Sequence, residues 1–198
     1  MNGFERRKEK KKQGIRRAAM ELFAQYGFSK VSVKDIAVKA GVSHATIYNH
    51  FNSKEELIND VMCREMDKMM AGVRQIINSD TDFIKKVEMI RGSKVGMAGR
   101  YNGEMLKAAI NISPEVYQHL DNLWQGETNQ LMEELVEQGK PQGYINKDIS
   151  TQAIMFYFDL IRAGAFACAK TIKSMNIDPK LTDDVNRLFL YGLIQKRD

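Results

Sequence analysis

Ser43, His44, Thr46, Tyr48, Asn49 and His50 form the stretch of this chain best suited to chemistry on a partner. They are short or planar donors and acceptors, the kind of side chain that matches base edges and phosphate oxygens in a DNA groove. They do not add up to a catalytic set. Gly41-Val-Ser43-His44-Ala45 has the outline of a nucleophile elbow, but that device needs a strand before it. The preceding VKDIAVKA, residues 33–40, has helical periodicity and ionic residues unsuited to a buried strand. His44, His50 and His119 lack H-x-x-x-H spacing, and Cys63 and Cys168 stand 105 positions apart, so no metal-ligating pattern is present. Gly92 to Gly99 lacks the G-K-[ST] ending of a phosphate loop. These residues predict no enzyme, no metal and no cofactor.

Presenting such side chains outward requires two short helices crossing tightly, and Val33 to Phe51 predicts them. Val33, Ile36, Ala37 and Ala40 have the spacing of one buried helical face, and Ile47 and Phe51 repeat it four residues apart. Gly41 accepts positive φ without steric cost, as a short turn between helices needs. Ala37 is small where the second helix must cross, and Ser43 can cap that helix. This is a helix-turn-helix pattern, with Ser43, His44, Thr46, Asn49 and His50 read as lying near the N-terminal end of its second helix.

The charge agrees with a polyanionic partner. The chain of 198 residues carries a formal +5, but residues 1–57 hold a net of +6 and residues 58–198 a net of −1. Only 3 prolines, with abundant Ala, Leu, Ile, Met, Glu and Lys, predict a mostly helical chain. Two cysteines are too few for a disulfide framework and fit a reducing cytoplasm. The charged first dozen residues carry no apolar signal core, and the most apolar run, Ala153 to Ala169, is broken by Asp159 and Arg162, short of the roughly 20 apolar residues of a membrane span. A cytoplasmic protein without a membrane partner is the expectation.

Along the chain, Glu5 to Gly14 reads as basic and unstructured at first, then helical, with side chains that could reach phosphates. Ile15, Ala18, Ala19, Leu22, Phe23 and Tyr26 predict an amphipathic helix ended by Gly27. Ser32-x-x-Asp35 and Ser53-x-x-Glu56 read as capping boxes opening the second helix and a long fourth one.

The segment IRRAAMELFAQYGFSKVSVKDIAVKAGVSHATIYNHFNSKEELINDVM resembles the DNA-binding domain of the TetR/AcrR family of bacterial transcriptional regulators. The likeness covers about residues 9–69 and rests on A-x-x-L-F, Y-G-F, I-A-x-x-A-G-V-S, I-Y-x-H-F and S-K-E-E-L. It implies an all-α fold of about nine helices: a three-helix DNA-binding head, residues 9–69 with its motif at 32–51, and a ligand-binding and dimerisation body, residues 70–198. By that resemblance Ser43, His44, Ala45, Thr46, Tyr48, Asn49 and His50 face DNA, Lys54 meets a phosphate at the fourth helix's start, and Ser32 and Lys34 sit over the backbone. The x of I-Y-x-H-F, usually Tyr in the family, is Asn49 here, which leaves backbone contact intact but separates base preference from the family pattern.

The second half carries no fingerprint. Helices are predicted over Asp80–Arg100, Glu104–Ile112, Pro114–Gln138, Ser150–Thr171 and Leu181–Ile194. The last two carry wide apolar faces, which either an intramolecular core or a second subunit would cover; the resemblance implies a homodimer through them. Gly92, Gly96, Gly99 and Gly103 share one helical side at a cost of roughly 3–4 kcal/mol relative to alanine, which close helix contact or room for a ligand would offset. Met66, Met97, Tyr101, Met105, Trp124, Phe156, Tyr157 and Phe166 are the candidate lining of an apolar effector pocket. The expected function is a repressor that binds a palindromic operator in double-stranded DNA and is released by a small lipophilic effector. The competing expectation is a helical small-molecule or partner-binding protein without DNA binding.

Overall fold

The computed structural model of the chain describes residues 2–100 and 114–167 and the single positions Lys180, Asp184 and Leu188, with side chains described outside 93–100 and 165–167. The fold class is all-α; among the described residues there is no strand.

The first helix, α1 (Gly3–Tyr26), starts earlier than expected. Asn2 Oδ1 accepts from the Phe4 and Glu5 amides at 3.0 and 2.9 Å, and Glu5 accepts from the Asn2 amide at 3.0 Å. This reciprocal capping box makes the basic segment helical from its beginning instead of unstructured. Ile15, Ala18, Ala19 and Phe23 form its buried face, and Gly27 ends it at φ 79°.

In α2 (Val33–Ala40) the Ser32/Asp35 box is formed, and Ile36 and Ala37 are buried. Gly41 adopts φ 65°, ψ 35°. Its amide donates to Val38 O at 3.2 Å while the Val42 amide donates to Ala37 O at 3.0 Å. That paired pattern stops a helix at a left-handed residue and turns the chain sharply. The next helix, α3 (His44–Tyr48), is brief, and its Ile47 joins Phe51, Ile36 and Phe23 in the core. The His50 amide already bonds three residues back, to Ile47 O at 2.9 Å, so the helix tightens and ends at Asn49. Asn49 and His50 therefore lie at its C-terminal end, not near its N-terminal end as their place in the motif suggested.

The long helix α4 (Lys54–Ile77) is capped by Ser53, whose Oγ accepts from the Glu56 amide at 3.0 Å. The expected box does not close on Ser53. The Glu56 carboxylate reaches one residue further back and accepts from the Asn52 amide and Nδ2 at 2.8 and 2.7 Å. Across the head, the buried Arg16 joins α1 to α4. Its Nε and Nη2 donate to Asp60 at 2.5 and 3.0 Å, and its Nη1 donates to Glu9 at 2.8 Å.

Beyond the head come α5 (Phe83–Arg100), α6 (Pro114–Leu123), a π-helical turn at Trp124–Thr128, α7 (Asn129–Gly139) and α8 (Thr151–Ala167). The π turn divides what the sequence reads as one helix. The helix expected over Glu104–Ile112 lies outside the described residues, as does that over Leu181–Ile194 apart from Asp184 and Leu188.

Packing groups the chain into two units, Met1–Met69 with Ser93–Asp121, and Met70–Gly92 with Asn122–Asp198. Residues expected to belong wholly to the body thus join the head's unit, where His119 Nε2 lies 2.8 Å from Asp67 Oδ1. In the second unit Phe83 stacks on Tyr144 at 5.3 Å and closes on Gly139. Lys86 is buried there, its Nζ donating to Ile77 O at 2.7 Å and Gln138 Oε1 at 2.8 Å.

Candidate nucleic-acid interface

The exposed surface of the helix-turn-helix is built by its caps. Ser43 Oγ accepts from the Thr46 amide at 3.1 Å and lies 2.8 Å from Thr46 Oγ1, which starts α3 abruptly after the Gly41 turn. With Ile47 buried, Ser43, His44, Ala45, Tyr48 and Asn49 are left exposed, and Thr46 is half-buried. His44 and Tyr48, one turn apart, meet edge to face with centroids 4.9 Å apart, so the Tyr48 ring is braced although 44 % exposed.

Beside them is an open groove of about 680 Å³ whose walls include Ser32, Lys34, His44, Tyr48 and Lys54. Five of the predicted residues thus share one concavity, drawn from the starts of α2 and α4 and from both ends of α3. Ser29, Lys30 and Asn52 also line it. These three were missed because they sit in loops, although Lys30 stands just ahead of the Ser32 cap. At the groove's edge the Ser32 hydroxyl and amide hold the Asp35 carboxyl below its ordinary range, so it stays ionised and fixed to the cap.

Two of the predicted residues have a different setting from the one expected. Lys54 is half-buried, and its Nζ donates to Phe28 O at 2.6 Å, tying the α1–α2 loop to the start of α4. Its ammonium holds the fold as well as bordering the groove. His50 is half-buried and its Nδ1 is a buried atom without a hydrogen-bond partner. Burial, then the charges of Lys8, Lys12 and Lys11, lower its pKa, so the imidazole is neutral at physiological pH. Its neighbours are the lysines of α1, a juxtaposition that residues 40 positions apart do not reveal.

The candidate effector residues scatter. Met66 is buried within the first unit, whereas Trp124, Phe156 and Tyr157 belong to the second. Trp124 Nε1 donates to Asp159 Oδ1 at 2.9 Å, and the Arg162 guanidinium lies 5.4 Å from the Trp124 ring centre. Phe156 and Tyr157, candidates for the effector pocket, are exposed on α8 at 64 % and 40 %. Met97 and Phe166 have no described side chains, and Tyr101 and Met105 lie outside the described residues. Among the described residues nothing lies within 4 Å of where a Cβ would stand on Gly92. Among the described residues no His, Cys, Asp and Glu group could hold a metal, and no helix is long and apolar enough to cross a membrane.

Comparison with known proteins bears on the same surface. Residues 15–61 match the model of bacterial regulatory proteins, tetR family. The chain is 42 % identical over 65 residues to the HTH-type transcriptional activator FasR of Mycolicibacterium smegmatis, a stretch covering 33 % of this chain and 30 % of that protein. It is 31 % identical over 70 residues to the HTH-type transcriptional repressor KstR2 of Mycobacterium tuberculosis, covering 35 % of each. The chain thus spans about a third of the length of the curated relatives it matches. Over nearly the whole chain, the structure resembles the transcriptional regulator FadR of Bacillus subtilis in complex with stearoyl-CoA, with a TM-score of 0.57, 17 % identity, and coverage of 91 % of this chain and 98 % of that one. A likeness at that identity establishes the fold.

Proposed function

We propose that this chain, a member of the tetR family of bacterial regulators through its residues 15–61, is a repressor that binds a palindromic operator as a homodimer and is released by a small lipophilic effector. The observation that carries the reading is the exposed rim of the helix-turn-helix. Ser43 and His44 at the start of α3 and Tyr48 at its end are exposed, and His44 and Tyr48 line a groove bordered by Lys34 and Lys54. On a duplex, Thr46 and Asn49 read base edges, Ser32 and Lys34 hold phosphates, and Tyr48 supports both with its ring against the sugar-phosphate wall.

Dimerisation is supported by α8, which exposes Phe156, Leu160 and Ile161 in addition to Tyr157. A helix with buried Ile154 and Phe158 on one side and an apolar surface on the other needs a second cover. Two heads so joined span two half-sites about one helical turn apart. Effector and operator oppose one another when they favour different separations of the heads. The long α4 contributes residues to both packing units, which supports it as the element through which an effector acts. A lipophilic effector is favoured by the 12 methionines and by a structural relative that holds stearoyl-CoA.

The test is a titration of labelled duplex from the promoter of the chain's own gene, followed by fluorescence anisotropy at several salt concentrations. Tyr48→Phe and Lys34→Ala weaken binding to all sequences, whereas Thr46→Ala and Asn49→Ala shift which sequence is preferred. Lys34 is the cleaner choice than Lys54, whose ammonium also holds Phe28 O. A salt-insensitive signal, or none, would mean a helical binding protein without DNA recognition. Native mass spectrometry of the purified protein tests both the dimer and a co-purified lipophilic ligand.

A further inference from the structure

In α1 the buried stripe of Ile15, Ala19 and Phe23 continues toward the N-terminus as Lys12, Lys11 and Lys8, at the same i, i+3, i+4, i+7 spacing. The face that is core downstream becomes basic where the helix runs past the head. This stretch is ordered from Gly3 by the Asn2/Glu5 capping box. Lys12 Nζ lies 4.9 Å from the centre of the Phe51 ring, and with Lys8 and Lys11 it bears electrostatically on His50, so the lysines border the end of α3. Glu5 and Glu9 fall on the helical side of Arg16, to which Glu9 is bonded. Neither Lys8 nor Lys11 has an ion pair among the described residues. Lys8, Lys11 and Lys12 share one side of α1 and, with Glu9 offsetting part of their charge at His50, leave a net positive field there that a polyanion laid along the helix neutralises.

We infer that the N-terminal two turns of α1 are a second phosphate-binding element, with Lys8 and Lys11 gripping the DNA backbone just outside the bases that α3 reads. The inference rests on the DNA-binding reading above and extends the footprint of each head. Lys8 to Lys12 spans about 6 Å of helix axis, enough for one or two phosphates. The element carries no base-reading group, so it adds affinity without changing sequence preference.

The experiment uses the full chain and a duplex that the wild-type protein has itself selected from a random library. Affinity is measured against salt for wild type and for Lys8→Ala/Lys11→Ala, on that duplex and on one trimmed at its flanks. The double variant is expected to lower the slope of log K against log salt by about 1–2 per head and to bind about tenfold more weakly at moderate salt, with the selected sequence unchanged. Wild type on the trimmed duplex behaves like the variant on the long one. A Lys8→Arg/Lys11→Arg variant retains the full slope, and matching thermal melts show that all variants are folded. If the double variant keeps both slope and affinity, the inference fails and the helix-turn-helix reading stands. If wild type selects no duplex at all, the DNA-binding reading fails and this inference goes with it.

Discussion

Replacing Arg16 with Ala should destabilise the head by loosening the join between α1 and α4. The guanidinium makes three hydrogen bonds, two to Asp60 and one to Glu9, and lies 5.8 Å from the Phe51 ring centre. Burial alone would lower its pKa, but the bonds to Asp60 and Glu9 outweigh that and raise it. For Asp60, burial pushes the carboxyl up, and Arg16, helped by Arg64 and Lys12, brings it below the ordinary carboxylate range. Removing one partner of a fully buried pair costs about 3–5 kcal/mol. The Asp60 side chain is 23 % exposed and can be rehydrated, so the expected loss for Arg16→Ala is about 2–3 kcal/mol. The assay is urea unfolding by far-ultraviolet circular dichroism. Arg16→Met/Asp60→Leu should recover most of the loss, because the charges left without these partners, Glu9 and Arg64, are on exposed side chains that water can hydrate. The pH dependence supplies a second readout. Because the folded Asp60 value is depressed, its contribution is complete above the unfolded value near pH 4 and is lost as acid titrates through the folded value. Wild type should therefore lose stability below about pH 4 more steeply than the double variant. A loss under about 0.5 kcal/mol for Arg16→Ala, or a double variant no more stable than the single one, would refute this account of the pair.

Gly41→Val forces a β-branched residue to φ 65° and should cost about 1–3 kcal/mol, abolishing sequence-specific DNA binding in the same anisotropy titration. Ser32→Ala loses the α2 cap and about 1 kcal/mol in thermal unfolding; Ser32→Thr keeps a hydroxyl for the Asp35 amide and carboxylate, so its melting temperature should hold. In the second unit, Gly139→Ala would bring a Cβ to 2.6 Å from Phe83 Cε2 and 2.9 Å from Ile145 Cδ1, an overpacking expected to cost about 1–3 kcal/mol in thermal unfolding. Its effect should appear in the fluorescence of Trp124, the single tryptophan, which belongs to that same unit.

The head was legible in the sequence to the extent that its hydrogen bonds are local. Ser32 with Asp35, Ser43 with Thr46, and Gly41 with Val38 are partners three residues apart, and residue type alone dictates such pairings. The early start of α1 is written in the same way, as Asn2-x-x-Glu5, amid a density of charge that masks it. The effector site was not legible, because apolar side chains at helical spacing look alike whether they fill a core, line a cavity or face a partner. Phe156 and Tyr157 show this: on the exposed side of α8, the same side chains suit an effector or a second subunit.

By itself, then, the order of residues determined an all-α chain, a capped helix-turn-helix, a basic N-terminal part, and which side chains of α3 are polar. Only the tertiary structure decided that Arg16 clasps Asp60 across 44 positions, that Lys54 holds Phe28 O across 26, and that His50 sits against the lysines of α1. The physical reason is range. A cap is closed by atoms that the backbone already holds within one turn, whereas an ion pair between distant helices exists only after apolar burial has brought them together.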